Sequence, residues 1–307
     1  FLMLFVWTLT RRVATLSWIW PTLTKPHINV YLLSTVQKIP SRSLVILLCK
    51  NQFESIFFYL NSIERGIVPI LIDDKLDISI LNSLIEEYNP NYIFAPKTEK
   101  YQYKNFSNAF QLRSYILLEN KYKNSINLNP ELSLLLSTSG TTGSPKLVRL
   151  SFKNLLANAT SIAEYLSLNK SHRAISSLPM NYSFGLSIIN SHLFAGGSIL
   201  MTTESITQSR FWELFNNYKI TSFSGVPYTF EILKKFRLLQ IKLPSLKMLT
   251  QAGGKLSNEL IEYFAEFSKI NKVDFFVMYG QTEGTARLSY LPPEFISKKI
   301  GSIGRPI

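Results

Sequence analysis

From Arg42 onward the apolar positions fall into two alternating rhythms. Residues 43 to 49, with an apolar run from Leu44 to Leu48, predict a buried strand, and Gln52 to Arg65 carries Ile56, Phe57, Tyr59, Leu60 and Ile63 at helical spacing. Gly66 marks the end of that helix. Residues 67 to 72 read as the next strand, Leu76 to Tyr88 as a helix and residues 92 to 95 as a third strand. Strands that are apolar throughout and separated by helices predict a parallel sheet covered on both faces. Residues 100 to 130 are polar, rich in Asn, Lys and Tyr, and carry Pro130, so the pattern places a boundary there. Ser151 then reads as the N-cap of a helix running from Phe152 to about Leu166, with Leu155, Leu156, Ala159, Ile162 and Ala163 on one face. The resulting division is an N-terminal segment 1–41, a first α/β subdomain 42–128 and a second α/β subdomain 129–307.

Near the start of the third of these lies the stretch with the most chemistry in it. Leu134 to Lys146 reads L-L-L-S-T-S-G-T-T-G-S-P-K, the end of a buried strand followed by two glycines, a proline, a lysine and six hydroxyl side chains. Glycines let backbone approach a phosphate, Ser and Thr hydroxyls and backbone N–H groups donate to it, and Lys146 adds a positive charge. A flexible polar turn is the plainer reading of such a cluster. It is not a Walker A loop, because Gly140-Thr-Thr-Gly143-Ser-Pro145-Lys146 fits neither the spacing nor the ending, and a GTPase or kinase reading fails with it.

Further motifs follow in order. They are Leu178-Pro-Met-Asn-Tyr-Ser-Phe-Gly-Leu186, then Thr221 to Phe230 with its Val-Pro turn, then Leu249-Thr-Gln-Ala-Gly-Gly-Lys-Leu256. Phe276-Val-Met-Tyr-Gly-Gln-Thr-Glu-Gly-Thr285 and Gly301-Ser-Ile-Gly-Arg-Pro306 complete the set. Magnesium takes carboxylate and phosphate oxygens, and an aromatic ring face suits a purine. A Tyr-Gly turn followed by Thr-Glu is otherwise a plain helix start with an acid in its first turn.

Taken together, these motifs resemble those of the adenylate-forming superfamily: acyl-CoA synthetases, peptide-synthetase adenylation domains and firefly-type luciferases. The hydroxyl-rich loop is similar to the family's at Thr138, Ser139, Gly140, Thr141, Thr142, Gly143, Pro145 and Lys146, with Leu147 where the family usually has Gly. The resemblance implies an α/β fold of stacked, mostly parallel sheets with helices between and outside them. It implies that an adenine ring rests at the small residues Ala252, Gly253 and Gly254, where no side chain protrudes from the backbone. It implies also that Tyr279 packs on adenine, that Gly280, Gln281 and Thr282 line the nucleotide with Thr282 on the α-phosphate, and that Glu283 holds Mg²⁺. Tyr182, Ser183 and Gly185 fall on the segment that lines the acyl pocket, Tyr182 standing where many members have His. The implied reaction is carboxylic acid plus ATP giving acyl-AMP and pyrophosphate, with Lys146, Thr282 and Glu283 as the catalytic set. The thiol of CoA, or the phosphopantetheine of an acyl-carrier protein, then takes the acyl group. Amino-acid-activating members usually carry an Asp near the position of Ser183, so an acid without an α-amine is favoured. Complete members continue with a ribose-binding Asp and a small mobile C-terminal domain bearing a lysine. The expectation is therefore the N-terminal large domain of such an enzyme without its C-terminal domain, and the alternative is a non-catalytic remnant or binding fragment.

Composition changes this picture little. The 307 residues, 46% hydrophobic, can bury a large core. A formal charge of +13 admits an anionic partner, but the lysines are scattered without interleaved aromatics, and no nucleic-acid partner is expected. Cys49 stands alone, which excludes an internal disulfide and fits a cytoplasmic setting, and His27, His172 and His192 lie in no metal-binding spacing. The first twenty residues are apolar enough to suggest a membrane span, yet Arg11 and Arg12 fall at their centre, where each costs roughly 2.5–3.5 kcal/mol on insertion scales. Neither a membrane span nor a signal peptide is expected there.

Overall fold

A computed structural model describes residues 4–6, 36, 38–98, 103–122, 126–138, 146–236 and 242–307. The N-terminal apolar stretch, His27 and residues 139–145 of the hydroxyl-rich loop lie outside the described residues, apart from the short strand β1 (Leu4–Val6). The chain divides into two compact units, one comprising residues 11–155 and 179–182, the other 1–10, 156–178 and 183–307.

The first of these units holds a seven-stranded sheet in the order β5-β6-β4-β2-β3-β7-β8. Its four central strands are parallel: β4 (Tyr92–Pro96), β2 (Leu44–Cys49), β3 (Val68–Asp73) and β7 (Leu132–Ser137). Every residue of β2 is buried, as an apolar run without alternation requires when helices cover both faces. Helix α1 (Phe53–Arg65) ends on Gly66, whose φ of 67° is left-handed, and α2 (Ile78–Tyr88) starts on Asp77, which accepts the Ser79 N–H at 2.8 Å.

The polar stretch that reads as a boundary contains an antiparallel hairpin, β5 (Phe106–Leu112) and β6 (Tyr115–Asn120), paired onto β4. It is fastened by Tyr115, whose hydroxyl donates to Leu48 O at 3.0 Å, meets Ser55 Oγ at 2.8 Å and accepts Lys50 N–H at 3.2 Å. The Tyr115 ring continues a stack through Phe94 to Phe58, with centroids 4.9 and 4.3 Å apart. At the other margin, β8 (Leu147–Ser151) runs antiparallel to β7, so the hydroxyl-rich loop joins two strands of a hairpin. Ser151 caps helix α3 (Phe152–Tyr165) reciprocally: its hydroxyl accepts Asn154 N–H at 3.2 Å, and Asn154 Oδ1 accepts Ser151 N–H at 3.0 Å. Along α3 the expected apolar face holds at Leu155, Ala159, Ile162 and Ala163, whereas Leu156 is exposed.

The second unit holds an eight-stranded sheet, β1-β10-β9-β11-β12-β13-β14-β15. Five adjacent strands are parallel: β10 (Ser198–Leu200), β9 (Arg173–Ile175), β11 (Ser222–Gly225), β12 (Met248–Gln251) and β13 (Asp274–Tyr279). β1, β14 (Ser289–Leu291) and β15 (Arg305–Pro306) are antiparallel at the margins. The crossovers are α4 (Ser183–Phe194), α5 (Ser209–Asn217), α6 (Pro227–Lys235) and α7 (Asn258–Asn271). The core is aromatic: Phe211, Phe215, Phe223, Phe230, Phe264 and Phe275 are all buried in one cluster, each worth roughly 1.5–3 kcal/mol over an exposed position. Phe230 and Phe264 meet edge to face at 4.8 Å.

Helix α4 is buried almost all round and takes four polar side chains inside with it: Ser183, Ser187, Ser191 and His192. His192 Nδ1 bonds to Ile188 O at 2.9 Å, satisfying one ring nitrogen within the helix. Burial, with the charges of Arg287 and His172 added, pushes its pKa down to about 3, against the Ile188 bond, which acts upward. This folded value lies below the ordinary value, so the unfolded chain takes up a proton that the folded one refuses. The stability concerned is complete above the ordinary histidine range and is lost as pH falls towards about 3. Urea unfolding followed from about pH 6 to about pH 4 is expected to lose up to ~1.4 kcal/mol per pH unit through this group. His192→Asn keeps an N–H donor, does not titrate and should show the shallower acid limb; equal slopes in the two proteins would contradict this account.

Candidate functional site at the strand ends

Strands β11, β12 and β13 run in parallel register, with Gly225 beside Gln251 and Gln251 beside Val277. Their carboxyl ends therefore release three segments along one edge of the sheet: Val226-Pro227, Ala252 to Gly254, and Tyr279 to Glu283. In open α/β sheets ligands bind beyond the carboxyl ends of the strands, because there the loops diverge and helix N-termini converge. Ser183, which opens α4, is brought to the third segment, its Oγ accepting the Thr282 hydroxyl at 3.2 Å. Within this unit, then, two stretches about a hundred residues apart in sequence meet through the side chains singled out in each. Gly185 lies buried in the first turn of the same helix.

The middle segment is a bare shelf. Ala252 is buried, whereas Gly253 and Gly254 are exposed, and Gly253 has a φ of 79°. A Cβ at Gly254 would stand 3.0 Å from Pro227 Cγ, so the shelf lies close against the start of α6. Gln251, which the sequence reading passed over, folds this loop: fully buried, its Nε2 donates to Gly254 O at 2.8 Å and to Ala252 O at 3.3 Å. Glutamine at a strand end carries no sequence signal for that task.

The third segment is a tight turn. Tyr279, 43% exposed, ends β13, and residues Thr282–Gly284 form one turn of 3₁₀ helix. Leu288 N–H returns to Tyr279 O at 2.9 Å and Ala286 N–H to Gln281 O at 3.1 Å. Thr285 and Ala286 are held at φ 61° and 102°, a conformation that non-glycine residues adopt only where surrounding contacts impose it. Gly280 is required sterically, since an added Cβ would lie 1.5 Å from Ala286 O. Glu283 is exposed and has neither an ion-pair nor a hydrogen-bond partner among the described residues. No group of three or more His, Cys, Asp or Glu capable of holding a metal occurs among those residues. A single free carboxylate suits Mg²⁺, which dehydrates reluctantly and is commonly held by one or two carboxylates together with substrate phosphates.

In the other unit, Thr138 and Lys146 tie the two ends of the hydroxyl-rich loop: Thr138 N–H and Oγ1 donate to Lys146 O at 3.0 and 3.3 Å. Ser139, Gly140, Thr141, Thr142 and Gly143 lie outside the described residues. Lys146 is exposed and, with Arg149 and Glu87, lines a cavity of ≈ 800 Å³ whose walls include Leu44, Leu132 and Leu135. Tyr182 is half-buried, donates its N–H to Pro179 O at 3.2 Å, and has its phenol pKa raised by burial. Among the described residues no helix is long and apolar enough to cross a membrane.

Comparison with known proteins gives this arrangement its setting. The chain is 29% identical over 250 residues to a 2-succinylbenzoate–CoA ligase of Oceanobacillus iheyensis, covering 79% of this chain and 50% of that protein. It is 24% identical over 235 residues to luciferin 4-monooxygenase of Nipponoluciola cruciata, covering 75% and 41%. The chain thus spans about half the length of the curated relatives it matches. Among solved structures, o-succinylbenzoate CoA synthetase from Bacillus subtilis superposes with a TM-score of 0.71 at 21% identity, over 90% of this chain and 56% of that one. The N-terminal domain of FACL13 from Mycobacterium tuberculosis gives 0.72 at 17%, over 89% and 71%. At these identities the superpositions establish the fold alone, mostly parallel sheets with flanking helices, shared with these neighbours over about nine tenths of this chain. Residues 35–307 match the family described as AMP-binding enzyme, and the chain belongs to that family.

Proposed function

We propose that the protein activates a carboxylic acid with ATP, forming acyl-AMP and pyrophosphate, and that a thiol, of CoA or of a carrier's phosphopantetheine, then takes the acyl group. The observation that carries this reading is the edge described above. Three parallel strands deliver a side-chain-free shelf, an exposed tyrosine ring and a Thr-Glu turn to one side of one sheet, and the turn is bonded to Ser183. Family membership supports it, and so do the relatives named as CoA ligases.

The chemistry asks a negative carboxylate to approach a negative phosphate, so catalysis is mainly positioning and charge neutralisation. The carboxylate oxygen bonds to the α-phosphorus as the bond to the bridging oxygen breaks, and pyrophosphate leaves. In the second step the thiolate bonds to the acyl carbon and AMP leaves. Tyr279 offers its ring to the adenine while Ala252, Gly253 and Gly254 offer backbone. The Thr282 hydroxyl turns from Ser183 to the α-phosphate. Glu283 is the residue that would hold Mg²⁺, and a bound Mg²⁺ would spread the charge of the leaving phosphates. The role of Lys146 and the hydroxyl loop towards pyrophosphate rests on their motif. Ser183 offers a hydroxyl already engaged with Thr282 and no carboxylate, which favours an acid without an α-amine.

Exchange of labelled pyrophosphate into ATP tests the proposal. Incubated with a panel of aliphatic and aromatic acids, the protein is expected to show exchange that requires both Mg²⁺ and one class of acid, and none with amino acids. Absence of exchange with every acid, together with no binding of Mg-ATP, would sink it and leave a non-catalytic member of the family.

A further inference from the structure

Arg287 is the largest fully buried side chain among the described residues, 1% exposed, yet no carboxylate among them pairs with it. A buried charge without a counter-ion is costly and persists where its hydrogen bonds are made and its geometry matters. Its bonds are specific. Nε donates to Ser187 Oγ at 3.1 Å, Nη1 donates to Tyr165 Oη at 3.1 Å and approaches Met278 Sδ at 3.6 Å, and the guanidinium lies 5.0 Å from the centre of the Phe184 ring. Its backbone oxygen accepts Asn158 Nδ2 at 2.8 Å. The Ser187 hydroxyl donates its only hydrogen to Phe184 O at 2.7 Å, which leaves a lone pair for the Arg287 Nε–H.

Ser183 and Ser187 stand four residues apart on α4 and so lie on one face of it. Ser183 takes the Thr282 hydroxyl; Ser187 takes Arg287. The turn that carries Glu283 is therefore pinned at both ends to the same helix face, and the two residues in left-handed conformation, Thr285 and Ala286, lie between the pins. The Arg287–Ser187 pin touches nothing that Glu283 is read as holding, and it remains when the Thr282 hydroxyl turns to the α-phosphate.

We propose that Arg287 is a positioning residue which, through Ser187, holds the Thr282–Glu283 turn in the geometry that binds the metal-nucleotide. This rests on the nucleotide reading above and goes beyond it by separating the groups that touch the nucleotide from the buried pair that aims them. The brace acts chiefly on the metal-dependent part of nucleotide binding, because Glu283 on the pinned turn carries the charge that part depends on, while the Thr282 hydroxyl adds one hydrogen bond and the shelf at Ala252 to Gly254 is folded by Gln251 independently.

Calorimetric titration with ATP, once with Mg²⁺ and once with EDTA, tests it in the wild type, Ser187→Ala and Arg287→Lys, each checked for a cooperative melt. Ser187→Ala removes one acceptor and leaves the helix; Arg287→Lys keeps the charge and loses the guanidinium fork. In folded variants the affinity in EDTA is expected to stay within about twofold of wild type, while the gain on adding Mg²⁺ shrinks by about tenfold, the scale of a small misplacement. A purely structural role would lower the melting temperature and leave that gain intact in the folded fraction. Should Arg287→Lys fail to fold, Ser187→Ala alone decides. If the wild type binds ATP with a Mg²⁺ gain and folded Ser187→Ala retains all of it, the brace is refuted and the nucleotide reading stands. If the wild type binds no Mg-ATP, the nucleotide reading itself is lost.

Discussion

Glu283→Gln is expected to lower the rate of acid-dependent pyrophosphate exchange by about a hundredfold or more, while leaving the urea midpoint unchanged. The two halves of that expectation come from the same fact. Glu283 is exposed at the apex of the turn and makes no ion pair or hydrogen bond among the described residues, so its charge contributes nothing visible to the fold. A carboxylate in that position, on a turn held by two left-handed residues, fits the proposed role of Glu283 towards Mg²⁺. Glutamine has the same shape and one fewer charge, so the substitution removes electrostatic attraction for a divalent cation and little else. Two controls sharpen the result. Raising Mg²⁺ should restore part of the lost rate, since weakened affinity can be offset by concentration. Glu259→Gln, a carboxylate on α7 paired with Lys234 at the surface, should leave exchange unaltered. A Glu283→Gln protein with wild-type exchange at limiting Mg²⁺ would remove Glu283 from the mechanism.

The βα alternation between Arg42 and Pro96 was legible because its strands are buried on both faces and its helices end on strong signals. Gly66 is left-handed and Asp77 is a side-chain cap, and such residues announce boundaries locally. The hairpin from Phe106 to Asn120 was not legible. Along β5 only Phe106 and Leu112 are buried, with exposed or partly exposed residues between them, so no two-residue alternation reaches the sequence. Its hold on the sheet comes from Tyr115, whose hydroxyl partners Leu48, Lys50 and Ser55 lie 60 to 67 residues away. Leu156 shows the opposite error: an apolar residue at the right helical spacing that the packing leaves in solvent.

The candidate site divides in the same way. Tyr279, Thr282 and Glu283 stood out as a string because the residues proposed to face the nucleotide sit close together on one turn. Ser187, Gln251 and Arg287 did not, because each acts on backbone or on a side chain that only folding brings near. Ser187 and Arg287 are 100 positions apart, and nothing in T-A-R-L-S-Y distinguishes a buried arginine from a solvated one. Residues that touch a ligand can be read from their chemistry; residues that aim them become visible only through distances.

Gly280→Ala should be the most damaging small substitution in this turn, at about 3 kcal/mol or more of stability, with Mg-ATP binding lost alongside. The cause is contact, since Gly280 is not among the residues of positive φ. An added Cβ would stand 1.5 Å from Ala286 O, 2.6 Å from Ala286 C and 2.9 Å from Arg287 Cα, all backbone. Those atoms cannot yield cheaply, because the Ala286 N–H is bonded to Gln281 O, the Arg287 O to Asn158, and the Arg287 side chain to Ser187. Relief therefore means opening the turn, which moves Thr282 and Glu283 together. Gly301→Ala supplies the contrast: φ is 82° there, and the nearest atom to an added Cβ is Asn258 Oδ1 at 3.7 Å, so backbone strain alone remains. That variant should lose about 1 kcal/mol and keep its nucleotide affinity. Urea unfolding of the two proteins side by side separates steric closure from strain, and a Gly280→Ala protein no less stable than Gly301→Ala would mean that the turn is open in solution and that its two anchors on α4 do not hold.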